Sequence, residues 1–217
     1  EKKLEASGDM ERLEMVKDIA SLANVFSVRQ KNPRGLGHAV LCAKSFVGDE
    51  PFAILLGDDI VVNKNGKTAT QQLVEAYEEF GGSVVGVQKV ADSQVHKYGI
   101  IDPKENLTER CASVKGFVEK PKLEDAPSNF AILGRYVLTP KIFELLETQA
   151  PGKGNEIQIT DAIDRLTKEE NVFAYDFEGN RYDVGDKVGF LKAQIDFALD
   201  RDDLRDSMIQ IIKDLNI

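Results

Sequence analysis

The chain is 217 residues long, 42% hydrophobic and 30% charged, with a formal net charge of −9. That is room for one α/β domain, or one domain with a small appendage, in an ordinary globular protein. The negative charge argues against nucleic acid or an anionic membrane as the main partner, since both call for a basic face.

A phosphorylated ligand would therefore need local cations or a metal ion. Cys42 and Cys111 lie far apart without CxxC spacing, and read as reduced thiols of a cytoplasmic protein. No apolar run approaches the ~20 residues of a membrane span. The chain opens on Glu1-Lys2-Lys3 without a methionine, which reads as a fragment or a processed product.

In chain order, Asp9 to Ala23 is expected to be a helix capped by Asp9, with Met10, Leu13, Val16 and Ala20 on one stripe. Val25 to Val28 suggests a short strand. Asn32-Pro33 signals a turn, and Gly35-Leu36-Gly37-His38-Ala39 opens a helix through about Lys44. Glycines at a loop-to-helix junction let a ligand approach the backbone, although a bare G-x-G is more commonly just a turn.

Next comes PFAILLGDDI, Pro51 to Ile60. Its unbroken apolar run suits a strand buried on both faces of a parallel sheet. Asp58 and Asp59 follow at the C-terminal end, the edge at which open α/β sheets place their ligands. Two adjacent acids repel unless a cation or donors offset them, and Mg²⁺ accepts one or two carboxylates plus water and phosphate. The competing reading is an Asp pair capping a turn or a helix.

After a polar loop at Asn63 to Thr68, Leu73, Ala76, Tyr77 and Phe80 predict a helix ended by Gly81-Gly82. Strands are expected over Ser83 to Val90, Tyr98 to Ile101, Val114 to Glu119, Phe130 to Leu138 and Val172 to Phe177. Thr139-Pro140 is expected to cap one helix and Thr160-Asp161 another, the latter bearing Ile163 and Leu166. Tyr182 to Gly185 turns into a helix through about Leu199. Leu204, Met208, Ile211 and Leu215 make a narrow seam on a last helix over 202–217, suited either to the chain's own core or to an oligomer contact. No repeat or linker interrupts the chain, so a single domain over 1–217 is expected.

Seven pieces in order carry a resemblance: RQKNPRGLGHAV (29–40), LLGDDI (55–60), KYGII (97–101), GFVEKP (116–121), SNFAILGRY (128–136), GNEIQITDAI (154–163) and YDVGDKVGFLKA (182–193). Together they resemble the bacterial UTP–glucose-1-phosphate uridylyltransferases of the sugar-nucleotidyltransferase superfamily. The resemblance runs over essentially all of the chain. It implies a three-layer, Rossmann-like α/β domain with a mixed, mostly parallel sheet. That family opens with a strand and a glycine-rich loop of the form G-x-G-T-R, followed by P-x-T-K and P-K-E. Neither G-x-G-T-R nor P-x-T-K occurs here. The chain is therefore expected to lack the first strand and the phosphate loop, and to turn over weakly or not at all as these residues alone.

The resemblance implies uridylyl transfer from UTP to glucose 1-phosphate, giving UDP-glucose and pyrophosphate, in a cytoplasmic homo-oligomer. It puts Mg²⁺ on Asp58, with Asp183 matching a second ligand. Asp183 read alone is equally a helix cap ahead of Gly185, and Asp59 is expected to cap or to support. Gln30 and Gly35 match the positions that read uracil, where a carboxamide both donates and accepts. Glu119 is assigned to sugar hydroxyls and Lys120 to the sugar phosphate, as a compact positive charge. Adjacent strand residues face opposite ways, though Pro121 breaks the regularity. Gly99 leaves room for the hexose against the backbone, and Glu156 touches the sugar or caps a strand. A transferase for another base or sugar, such as a thymidylyltransferase, and a non-catalytic sugar-nucleotide-binding module are the alternatives.

Overall fold

The fold was analysed in a computed structural model that describes residues 1–215. Contacts divide the chain into two compact units, Glu1–Lys31 and Asn32–Ile217. The first contains α1 (Lys2–Ser7), turned by Gly8 in the left-handed region, and α2 (Met10–Ser21). The Asp9 carboxylate accepts a hydrogen bond from the Arg12 amide at 3.2 Å, the cap its position predicts. Of the expected stripe on α2, Leu13 is buried while Met10 and Val16 are exposed. Residues 25–28 form no strand, because their backbone pairs with no ladder among the described residues.

The second unit begins with α3 (Leu36–Leu41) and α4 (Lys44–Val47), then β1 (Phe52–Leu55), β2 (Asp59–Val62), α5 (Ala69–Phe80) and β3 (Ser83–Lys89). It continues through β4 (Gly99–Asn106), β5 (Cys111–Glu119), β6 (Phe130–Leu138), α6 (Lys141–Glu147) and α7 (Ile159–Leu166). It ends with β7 (Val172–Asp176), β8 (Asn180–Asp183), α8 (Lys187–Asp200) and α9 (Arg205–Asp214). One sheet runs in the order β1-β6-β3-β7-β5-β4, and β2 pairs separately with β8.

The α/β class expected from the sequence is the one observed, and the layers follow from alternation along the strands. Val85, Val87, Ile132, Tyr136, Val172 and Ala174 face one core, closed by α3, α6 and α7. Val84, Ala131, Leu133, Val137 and Phe173 face the other, closed by α5. Burying each such Val, Leu or Ile side chain contributes about 1.5–3 kcal/mol.

Strand direction departs from expectation. Among the described residues only β3–β7 is parallel; β1–β6, β3–β6, β4–β5 and β5–β7 are antiparallel. The sheet is mixed but not mostly parallel, since β6 and β5 enter it between strands running the other way. β1 is likewise not buried on both faces: among the described residues it pairs only with β6, and Leu55 at its end is 54% exposed. An apolar run signals a surface that needs covering, but not what covers it.

Two expected caps are replaced. The Thr139 hydroxyl donates to Glu170 (3.0 and 2.9 Å) instead of capping α6, and the same carboxylate accepts from the buried Ser83 hydroxyl at 2.6 Å. A long-range acceptor has outcompeted the local amides. Thr160 and Asp161 lie inside α7, whose N-cap is Gln158. At α8 the capping carboxylate is Asp186, which accepts from the amides of Val188 and Gly189. Leu204 just before α9, Ile211 on it and Leu215 just after it are exposed while Met208 is half-buried, so the expected seam is largely open among the described residues; positions 216 and 217 lie outside them.

Candidate active site

The acidic end of the site is built on the short β2–β8 ladder, which places Asp59 opposite Asp183. The turn that delivers Asp58 is fixed from several sides. Gly134 on β6 accepts the Leu56 amide at 2.9 Å, and Val184 donates its amide to the Asp58 carbonyl at 2.9 Å. Arg135 donates to the carbonyls of Leu56 (3.3 Å) and Asp59 (2.6 Å). Gly134 has φ of 50°, and a Cβ there would come within 2.6 Å of Asp59, so position 134 must be bare.

Asp59 and Asp58 then part company. Asp59 is 6% exposed and held by a bidentate Arg181 guanidinium, at 2.6 Å from Nε and 2.9 Å from Nη2. Asp58 is exposed, and its carboxylate makes no hydrogen bond or ion pair among the described residues. Asp183 Oδ2 accepts from the Tyr98 hydroxyl (3.1 Å) and Arg181 (3.3 Å), while its Oδ1 accepts from the Asp186 amide (3.2 Å).

A Cβ placed on Gly185 would lie 3.1 Å from Asp58 Oδ2 and 3.3 Å from Asp183 Oδ1, so both oxygens border one space that a side chain would fill. Two carboxylates at such a space fit Mg²⁺, which takes one or two acids and completes its shell with water and phosphate. No cluster of three or more potential ligands exists among the described residues.

The second group of expected residues gathers around Gly99, which pairs with Glu119 across β4–β5. A Cβ on Gly99 would meet Thr160 at 3.0 Å and Glu119 Oε2 at 3.2 Å, so the bare glycine opens space in front of both. Glu119 and Lys120 do not face opposite ways. β5 ends at Glu119 and Lys120 takes the left-handed φ of 47°, so alternation stops, and its Nζ lies 3.2 Å from Glu119 Oε1. That conformation costs a non-glycine residue about 1–3 kcal/mol. Two main-chain bonds hold it: the Lys120 amide donates to the Tyr98 carbonyl at 3.0 Å, and Lys153 Nζ donates to the Lys120 carbonyl at 2.6 Å.

Gly35 and Glu156 form a third contact. Gly35 has φ of 100°, and a Cβ there would come within 2.7 Å of the Glu156 Cβ. The strand-like crossing is fixed by Gly37 donating to the Ile157 carbonyl (2.8 Å) and Ile157 donating to Arg34 (2.7 Å). Glu156 itself is exposed and accepts from Gln158 at 3.2 Å. Gln30, half-buried, belongs to the first unit.

Three functional neighbours escaped the sequence reading. Arg181 was hidden in an unremarked Asn180-Arg181 dipeptide; the β-forming run Ile60-Val61-Val62 was the available signal for its strand partner. Burial opposes the Arg181 charge, but hydrogen bonds to Asp59 and Tyr98 outweigh it and hold the guanidinium pKa above its ordinary value. Tyr98 lay within KYGII without a role. Lys153 carried no signal that would separate it from a surface lysine.

This architecture is that of a sugar-nucleotide transferase: a mixed sheet between helical layers, with carboxylates and a lysine at neighbouring strand ends. A family model described as nucleotidyl transferase matches residues 7–198, and the chain belongs to that family. It is 55% identical to UTP–glucose-1-phosphate uridylyltransferase 2 of Staphylococcus saprophyticus over 214 residues, 99% of this chain and 73% of the relative. A crystal structure of UDP-glucose pyrophosphorylase complexed with UDP-glucose matches with a TM-score of 0.85 and 40% identity, covering 90% of this chain and 74% of the other. A UTP-bound UGPase from Acinetobacter baumannii gives 0.87 and 38%, covering 99% and 74%.

Asp161, one residue beyond Thr160, has its carboxyl pKa raised by burial and then by Glu119 and Asp164. A carboxyl raised on folding contributes fully to stability in acid, below its unfolded pKa, and that contribution is lost as pH rises through the folded value. Asp161→Asn should therefore melt higher than the parent at about pH 7, with the gap closing toward about pH 3. A melting difference independent of pH would contradict this assignment.

Proposed function

We propose that this chain transfers a uridylyl group from UTP to glucose 1-phosphate, giving UDP-glucose and pyrophosphate. An oxygen of the sugar phosphate forms a bond to the α-phosphorus of UTP while the bond to pyrophosphate breaks. Such a displacement calls for in-line positioning and charge neutralisation, not for a proton shuttle. The observation that carries the reading is an acidic pair bordering one space, Asp58 and Asp183, joined through residue 98 to Lys120 and its partner Glu119, which borders another.

Each residue then has a task its chemistry suits. Asp58 and Asp183 hold Mg²⁺, which when bound neutralises the phosphate charge. Lys120 takes the phosphate of glucose 1-phosphate as a point charge, released from its contact with Glu119. Glu119 accepts from sugar hydroxyls in the space that Gly99 leaves open, with Glu156 at its margin. Gly35 presents backbone to the base, and Gln30 reads the base edge because a carboxamide both donates and accepts.

The same reading makes the chain a cytoplasmic homo-oligomer; no helix among the described residues is long and apolar enough to cross a membrane. The open seam of α9 is the proposed contact between copies. Deleting residues 202–217 should lower the mass seen by light scattering, whereas an unchanged mass would return that helix to the chain's own fold.

Calorimetry with UDP-glucose and dTDP-glucose, beside a pyrophosphate-release assay with UTP and glucose 1-phosphate, tests the reading. UDP-glucose should bind about tenfold or more tightly than its thymidine analogue, a difference of about 1.4 kcal/mol. Binding of neither would overturn the proposal, and equal binding would overturn the choice of base. In enzyme that turns over, Lys120→Ala should raise KM for glucose 1-phosphate roughly tenfold to a hundredfold with little effect on UTP, as expected for one lost charged hydrogen bond. An equal effect on both substrates would remove Lys120 from the sugar phosphate.

A further inference from the structure

Tyr98 touches both halves of the site through different atoms. Its hydroxyl donates to Asp183 Oδ2 at 3.1 Å and accepts from Arg181 Nη1 at 3.2 Å, and its ring lies under the same guanidinium, 5.0 Å from Cζ. Its main-chain carbonyl accepts the Lys120 amide and so supports the left-handed turn that brings Lys120 beside Glu119. One residue immediately before β4 thus fixes a carboxylate with its side chain and a lysine with its backbone.

We infer that Tyr98 is a positioning residue that orients Asp183 toward the space shared with Asp58, acting on the metal end of the site through its hydroxyl and on the sugar-phosphate end through its carbonyl. The inference rests on the proposed transferase reading. Asp183 has two oxygens, and Oδ1, which accepts from the Asp186 amide at 3.2 Å, is the one nearest a Cβ placed on Gly185. Oδ2 is occupied by Tyr98 and Arg181, and these bonds work with the Asp186 amide to fix which oxygen faces Asp58. Arg181 alone cannot do this, because its Nη2 is shared with Asp59, to which it lies closer (2.9 against 3.3 Å). The neutral hydroxyl also adds no positive charge to compete with a cation, which a second arginine or lysine at position 98 would.

Tyr98→Phe separates the two functions, because it removes the hydroxyl while keeping the ring and the carbonyl. The full chain and the variant are titrated with Mn²⁺ alone, following loss of the free-ion paramagnetic resonance signal. Glucose 1-phosphate affinity is measured by calorimetry without metal. Mn²⁺ affinity should fall about tenfold to a hundredfold, the usual loss when a group supporting a metal ligand is removed. Glucose 1-phosphate affinity should change less than about twofold, since the carbonyl that supports Lys120 remains.

Equal Mn²⁺ affinity in the two proteins, whether measurable or undetectable in both, overturns the inference. So does a parallel loss of both affinities, which is what general loosening of the site would give. Because this comparison needs neither UTP nor turnover, a chain that fails to bind UDP-glucose would sink the proposed reaction and still leave the Mn²⁺ ratio to decide the role of Tyr98.

Discussion

Three carboxylates, Asp58, Asp59 and Asp183, crowd the β2–β8 ladder of an already acidic chain, and the largely buried Arg181 guanidinium offsets two of them. Arg181 is 14% exposed and its main partner Asp59 is 8% exposed at the side chain, so this pair sits where water screens little. Removing one partner of such a pair leaves an unpaired buried charge and costs about 3–5 kcal/mol. The pairing also divides labour between neighbours. Asp59 is committed to the fold and pins β2 to β8, while Asp58 is left facing solvent with both oxygens available.

The basic end has a different constraint. The Lys120 ammonium stands on the same side as Glu119, which regular strand geometry forbids for adjacent residues. The chain achieves this by breaking the strand with a left-handed residue, and by bonding both its amide and its carbonyl to neighbours 22 and 33 positions away. Local strain is held in place by contacts from elsewhere in the fold, as is common where a functional group must be aimed.

What the sequence made legible follows the range of the forces involved. The helix at Ala69–Phe80 and the strand at Phe130–Leu138 were readable because periodicity and terminal residues are local signals. Asp58, Asp183, Gly99, Glu119 and Lys120 were locatable from their motifs, and the structure draws them into two linked groups. Strand direction was not readable, because it depends on which strands meet, and β5 and β6 enter antiparallel from far along the chain. Thr139 shows the same limit on a smaller scale. A threonine before proline is a sound local cap, and only the arrival of Glu170 from a distant turn explains why its hydroxyl points elsewhere.

The approach of Gly35 to Glu156 ties together parts of the second unit that might look independent. The loop at 154–158 leads directly into α7, which carries Thr160 to Gly99 and Asp161 toward Glu119. The missing methyl group at position 35 therefore acts as a spacing gauge. Any side chain there would push the loop outward and tilt the start of α7 with it, so a change at position 35 would be felt at Thr160 and Gly99. A substitution on one side of that contact must be matched by one on the other.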